Sequence, residues 1–434
     1  MRRAPCHRFV IGWFGIVLLW STPVSAADEE AIQRLERELA ETKADVRALV
    51  ADQSTARGKG AIAIPDISLD GLFAAGASTV PDLDALETGA HDPNQRGFTV
   101  QNLELTIGGN VDPYFTAISH IVLQIDREGE STLEVEEAYL TTTALPANLQ
   151  LRAGQFFTQF GRLNPQHPHT WAFADQPLIN GRMFGGDGMR GPGMQLSYLM
   201  PLPIYAEALV AIQNSQGETL FSFRNVPGED LFGRTLIERQ VKGLDDLLVT
   251  PRLATSFNPS DTQTVLLGVS GAFGPNGSGE SARTQIYGID LYYKWKPLRT
   301  VKGWPFVAWQ TEVMKRQYDN AAVEDDPTTV GVDESLPEEQ LQDWGGYTQV
   351  VWGFAPRWVA GVRGDYVAGQ DGDLTDPLRE RRVRVSPNLT VYPSEFSKWR
   401  IQYNWDHLQT REDNVHSVFL QWEFLVGTHG AHAF

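Results

Sequence analysis

From Asp66 onward, apolar side chains recur at every second position, and this period of two limits the fold more than any other feature. Over 398–409, Trp399, Ile401, Tyr403 and Trp405 share one face, and Arg400, Gln402, Asn404 and Asp406 share the other. Over 285–295, Tyr287, Ile289, Leu291, Tyr293 and Trp295 oppose Gln285, Asp290 and Lys294. The same holds for Leu103, Leu105 and Ile107 against Asn102, Glu104 and Thr106, and for Val418, Leu420, Trp422, Phe424 and Val426 against Ser417, Gln421 and Glu423. Alternation of this kind specifies β-strands with one apolar and one polar face. Strands of a soluble sandwich also alternate. Here, however, aromatics gather toward the strand ends on the apolar face, which suits two interfacial girdles around a lipid-facing band.

About sixteen such segments can be counted, an even number as single-chain bacterial barrels require. They lie near 66–78, 98–109, 112–125, 131–144, 148–157, 192–200, 203–213, 246–257, 262–273, 283–296, 304–316, 344–354, 357–368, 380–392, 398–409 and 413–427. Pro387 weakens the segment 380–392, because proline cannot donate to a ladder. The connections alternate strictly between short turns, such as Leu145-Pro146-Ala147 and Ala355-Pro356, and long loops at 79–97, 158–191, 214–245, 317–343 and 369–379. Short periplasmic turns and long outer loops are the topology of outer-membrane barrels, whereas sandwiches and propellers have no reason to obey it. The expected fold is therefore all-β, an antiparallel transmembrane β-barrel spanning 66–434. No run of 18 apolar residues follows the first 26 residues, so a transmembrane helix is not expected.

The N-terminus sets the compartment. Arg2, Arg3 and Arg8 precede an apolar run from Phe9 to Trp20 and the small-residue stretch Ser21 to Ala26. That is a secretory signal peptide over 1–26, since a spanning helix needs roughly 20 apolar residues. The single cysteine, Cys6, belongs to it, so the mature chain has no disulfide or thiolate chemistry. Removing those three arginines takes the formal charge from −18 to −21. So acidic a chain excludes a nucleic-acid partner, which requires a basic footprint. Residues 28–53 carry heptad spacing, with Ile32, Leu39, Val46 and Gln53 in one seam and Leu35, Thr42 and Leu49 in the other. Three heptads are short for an independent coiled coil, so the helix is expected to self-associate within a larger assembly, the alternative being a solvated helix packed on its own domain, and an even strand count places it in the periplasm. Residues 54–65, with Gly58, Gly60 and Pro65, form a linker.

The signal peptide, the strand pattern over 66–434 and the terminal aromatic Phe434 together resemble the Gram-negative porins. The periodic helix before the barrel is similar to that of phosphate-selective and related trimeric porins. The segment Gly154-Gln155-Phe156-Phe157, continuing into Phe160-Gly161-Arg162-Leu163-Asn164-Pro165, and the terminal His-Gly-Ala-His also resemble barrel proteins labelled zinc-regulated outer-membrane receptors. The resemblance implies outer-membrane lipid as surroundings, a homotrimer, and delivery to the barrel-assembly machinery through Phe434. The chain departs from the pattern after Val426, where 427–434 is less apolar than a usual terminal strand.

In general porins, the loop after the fifth strand folds into the lumen. Here that loop, 158–191, carries Arg162, Asp175, Arg182, Asp187 and Arg190, which would line a constriction. Its Trp171, Phe173, Leu178, Ile179 and Phe184 favour packing on a wall over facing water. Inward parity puts Arg363, Arg382, Arg384 and Arg400 on three consecutive strands, facing acids that include Glu104 and Glu423. A basic wall opposite an acidic wall makes a field across a pore; the plainer alternative is mutually paired charges in a wet lumen. His167-Pro168-His169 and His429-x-x-His432 invite metal, but each pair lacks a full ligand set. No serine–histidine grouping or phosphate-cradling loop marks an enzyme, and no cofactor is expected. The expected function is a passive channel for small hydrophilic solutes or ions. The alternatives are a substrate- or zinc-linked receptor and an envelope-tethering barrel. A plugged barrel of about 22 strands is excluded by length.

Overall fold

In the computed structural model, the described residues are 65–83, 86–125, 129–323, 335–370 and 377–427. The signal peptide, the coiled-coil helix, all but Pro65 of the linker, and His429, His432 and Phe434 lie outside them.

Sixteen strands close into one antiparallel barrel in chain order. They are β1 (Asp66–Ser78), β2 (Gly97–Asn110), β3 (Phe115–Ile125), β4 (Ser131–Thr142), β5 (Leu149–Phe157), β6 (Arg190–Leu199), β7 (Tyr205–Gln213) and β8 (Leu248–Ser260). The second half comprises β9 (Gln263–Pro275), β10 (Arg283–Trp295), β11 (Phe306–Asn320), β12 (Glu339–Ala355), β13 (Trp358–Gly369), β14 (Arg382–Ser394), β15 (Ser397–Leu408) and β16 (Val415–Gly427). Closure comes from β1 pairing with β16, Leu69 opposite Val426. A barrel leaves no open edge, so each backbone amide in the apolar zone finds a neighbouring strand.

Burial is the reverse of that in a water-soluble protein. The largest fully buried side chains include Arg190, Arg316, Arg363 and Arg382, while Ile289, Trp352, Trp399, Ile401 and Val426 are exposed. Charged groups are rarely buried and large apolar ones rarely exposed when the solvent is water. Lipid outside and a polar lumen inside account for both. Exposed aromatics gather near the turns, as Tyr198, Tyr205, Trp352, Trp358 and Trp399, and near the loops, as Phe98 and Trp344.

Two details depart from simple alternation. β11 and β12 run further than their apolar pattern, pairing out to Asn320 and Glu339. Pro387 does sit inside a strand, opposite Val362 of β13, while the ladder toward β15 resumes only at Asn388 and Gln402. That interruption accommodates the missing donor.

Candidate functional site: a loop folded into the lumen

Between β5 and β6, residues 158–189 turn into the barrel. They include the short helix α1 (Leu178–Phe184), which ends where Gly185 adopts φ 87°. Apolar side chains drive the inward turn: Phe160, Leu178, Ile179, Met183 and Phe184 pack with Phe223 of the following loop and with inward residues Ile286, Met314, Tyr347 and Val367. The loop-side half of the lumen thus contains a hydrophobic core, which period-two reading alone does not foresee.

Polar contacts then fix the loop to three parts of the wall. On β11, the Glu312 carboxylate accepts hydrogen bonds from the backbone N–H of Arg162 (3.1 Å) and of Leu163 (2.9 Å). Gly161 beside it has φ 61°, and a Cβ there would lie 2.0 Å from Glu312 Oε2, so glycine is required on both counts. On β13–β15, Asp175 accepts from Arg363 Nη2 (2.8 Å), Arg384 Nη1 (2.9 Å), Gln402 Nε2 (2.7 Å) and Asn404 Nδ2 (2.7 Å). Burial works against its charge, but Arg363 and Arg384 overcome this and hold the carboxyl down at about 2. Asp92, from the loop after β1, is pushed up to about 6 by burial and by the charge of Asp175.

The third anchor lies on β2–β4. His167 Nδ1 is 3.1 Å from Glu136 Oε2 and 3.3 Å from Glu104 Oε2, and its Nε2 is 2.9 Å from Glu137 Oε2. Burial alone would lower its affinity for a proton, yet Glu104 and the neighbouring carboxylates raise it well above the usual value. His91, in the loop after β1, behaves alike: burial opposes its charge, but Glu136 at 2.9 Å raises it to about 9. Consecutive Glu136 and Glu137 both point inward because the β3–β4 register shifts between His120 and Ile121. A bulge of this kind re-aims a side chain.

The residues singled out in the sequence take the following places. Arg162 is partly exposed, lies over the Tyr292 ring at 3.8 Å and donates to Gln310 Oε1 at 3.3 Å. Arg182 is buried and grips Glu87 with Nε (3.0 Å) and Nη2 (2.8 Å), while Arg190 pairs with Glu134 and Glu136. Asp187 lies 3.8 Å from His91 Nε2. Arg363, Arg382, Arg384 and Arg400 do point inward from β13, β14 and β15; at 5% exposure or less, the first three lie under the loop, and Arg400 sits at its edge against a cavity. Arg363 also pairs with Asp365 at 2.8 Å, Arg382 pairs with Asp406 at 2.7 Å, and Arg400 donates to Gln421 Oε1 at 2.6 Å and to the Trp171 carbonyl at 2.8 Å. Glu423 pairs with Lys398. Glu104 faces His120, His167 and His169, so the first histidine pair does acquire partners. His91, His120, Glu312 and Asp92 escaped notice. Of these, His120 shares inward parity with Thr116 and Gln124 on β3, which is the one sign of it in the sequence.

Below the loop, toward the turns, two cavities flank Arg162. One, of about 450 Å³, is lined by Arg162, Lys294, Lys398 and Arg400, with Glu423 as its acid. The other, of about 460 Å³, is lined by Asp70, Glu104, Glu137 and Glu207, with Arg152, Arg252 and His120 among its bases.

A sixteen-stranded barrel with a polar interior, short turns and an infolded loop after β5 has the fold of the outer-membrane porins. Two solved structures share the fold: the outer membrane channel DcaP of Acinetobacter baumannii (TM-score 0.51, 12% identity, 83% of this chain and 97% of that one) and the anion-selective porin from Comamonas acidovorans (TM-score 0.51, 8% identity, 84% and 100%). The chain belongs to the same family as an uncharacterized protein of Aquifex aeolicus (strain VF5), to which it is 31% identical over 404 residues, 86% of this chain and 80% of the relative. No protein-family model matches the chain.

Proposed function

We propose that this protein is an exported outer-membrane channel, rather than an enzyme, through which small hydrophilic solutes diffuse passively. The observation that carries this reading is the infolded loop, which narrows a barrel of porin size while leaving polar cavities on its turn side. Arg162 lines both cavities, so a solute moving between them passes its guanidinium. Lys294, Lys398 and Arg400 against Glu423 on one side, and Asp70, Glu104, Glu137 and Glu207 against Arg152 and Arg252 on the other, bias the two sides toward opposite charge and create a field across the path. Such a field orders charged and dipolar solutes by their orientation. The heptads of 28–53 support a trimer whose N-terminal helices bundle in the periplasm. Liposomes containing the protein should swell in iso-osmotic small sugars and amino acids at rates falling with solute size. Liposomes that fail to swell in any such solute would contradict diffusion.

The core of Phe160, Met183, Phe184 and Phe223 favours a second reading, a channel for particular solutes whose loop must yield before they pass. Swelling confined to one solute class, independent of size, would select it.

A further inference from the structure

The side chains that anchor the loop to β2–β4 also bring a set of metal-ligating atoms together at the edge of the second cavity. Glu104 on β2, His120 on β3 and His167 on the infolded loop each bring one donor atom to within 4.8 Å of the others, and all three are screened from bulk solvent. His120 Nδ1 lies 2.7 Å from Glu104 Oε1, and the His120 and His167 rings are 4.2 Å apart between centroids. His169 Nδ1 is 3.3 Å from Glu104 Oε2, near enough to act as a fourth donor. Among the described residues, this is the one group whose donors converge in this way.

We propose that Glu104, His120 and His167 bind a divalent transition-metal ion of the zinc type. Two imidazoles, a carboxylate and no thiolate form the three-ligand set found in open zinc sites, where the fourth position takes water or another donor. The surrounding groups also fit. Glu137 Oε2 stands 2.9 Å from His167 Nε2 and 3.7 Å from His120 Nε2, the carboxylate-behind-imidazole arrangement that orients metal ligands. Asn102 Nδ2 donates to Glu104 Oε2 at 3.2 Å and Thr106 Oγ1 donates to Glu104 Oε1 at 3.1 Å, fixing the carboxylate. Glu136 is engaged by Arg190 at 3.3 Å and His91 at 2.9 Å. With neutral imidazoles, Glu104 and Glu137 then leave two negative charges, which a divalent cation balances. The site opens on the acidic cavity, which gives the ion a route in. Because two ligands sit on the wall and one on the loop, binding ties the loop to the wall.

The test is titration of the folded, detergent-extracted protein with Co²⁺, read by visible absorption and by competition with Zn²⁺. The expected result is one Co²⁺ per chain with the intense spectrum of a low-coordinate ion, displaced by Zn²⁺. Glu104→Gln, His120→Asn and His167→Asn should each weaken binding about 100-fold, and Glu137→Gln about 10-fold, as loss of ligands and of their supports does. Folding of each variant is checked by heat-modifiable migration, and near-isosteric Glu104→Gln and Glu137→Gln provide the comparison should a histidine variant misfold. Replacing His429 and His432 should leave binding unchanged. The proposal is overturned by absent stoichiometric binding in the native protein, by undiminished binding in the Glu104 and Glu137 variants, or by loss on removing the terminal histidines.

Discussion

The Glu312 carboxylate on β11 receives the backbone N–H of Arg162 at 3.1 Å, so one wall residue holds the loop where its least buried arginine enters the lumen. The same carboxylate takes the Leu163 N–H at 2.9 Å and the Tyr347 hydroxyl at 2.5 Å. Buried hydrogen bonds to a charged group contribute about 1.5–3 kcal/mol each. Glu312→Ala should therefore free this end of the loop, seen as increased current noise and faster proteolysis within 158–169 in a folded barrel. Unchanged noise and cleavage would show that apolar packing alone holds it.

Gly161→Ala tests the same contact from the loop. A Cβ at φ 61° meets Glu312 Oε2 at 2.0 Å, so the substitution must displace one or the other. Its effect on noise and proteolysis should match that of Glu312→Ala, and the double variant should be no worse than either single. Additive effects would separate the two residues.

Loop docking should vary with pH in two opposed steps. Asp92 is raised to about 6, so its folded form favours the proton; that contribution is present at low pH and lost as pH rises from its ordinary 3.8 through 6. Asp175 is lowered to about 2, so its contribution is present above 3.8 and lost as pH falls toward 2. Resistance of the loop to an acid-tolerant protease should accordingly increase from pH 7 to about 4 and decrease below it. Asp92→Asn should remove the first step and keep the second. A single monotonic change in the native protein would refute this assignment.

Arg162 stands between a basic and an acidic cavity, with its guanidinium stacked on Tyr292. Arg162→Glu should shift the reversal potential in a KCl gradient toward cation preference, without loss of the folded barrel. Equal reversal potentials would place the selective region elsewhere.

Much of this architecture can be read from the chain because lipid enforces period two. Trp399, Ile401 and Tyr403 cannot exchange places with Arg400 and Gln402 without burying charge in hydrocarbon. Alternating loop lengths then order the strands. The extensions of β11 and β12 were hidden because 317–320 and 339–343 are mostly polar; Tyr318 and Leu341 there pack on Leu231 and Phe232 of a loop, outside the alternating pattern. Inward parity identified Arg363 and Arg384, but their partner Asp175 is 188 and 209 residues away, and sequence carries no sign of that pairing. Nor could His167 announce His120 and Glu104, which reach it only through β2–β3 pairing. Strict alternation puts consecutive Glu136 and Glu137 on opposite faces, and only the bulge at Glu136 brings both inward.

Single-channel conductance in planar bilayers, with reversal potentials in asymmetric KCl, tests the central claim most directly. An open channel should give discrete steps, in groups of three if trimeric, and its reversal potential should move when Arg162 is reversed. A correctly folded, heat-modifiable barrel that passes no current would contradict the diffusion channel and leave a closed, ligand-dependent barrel in its place.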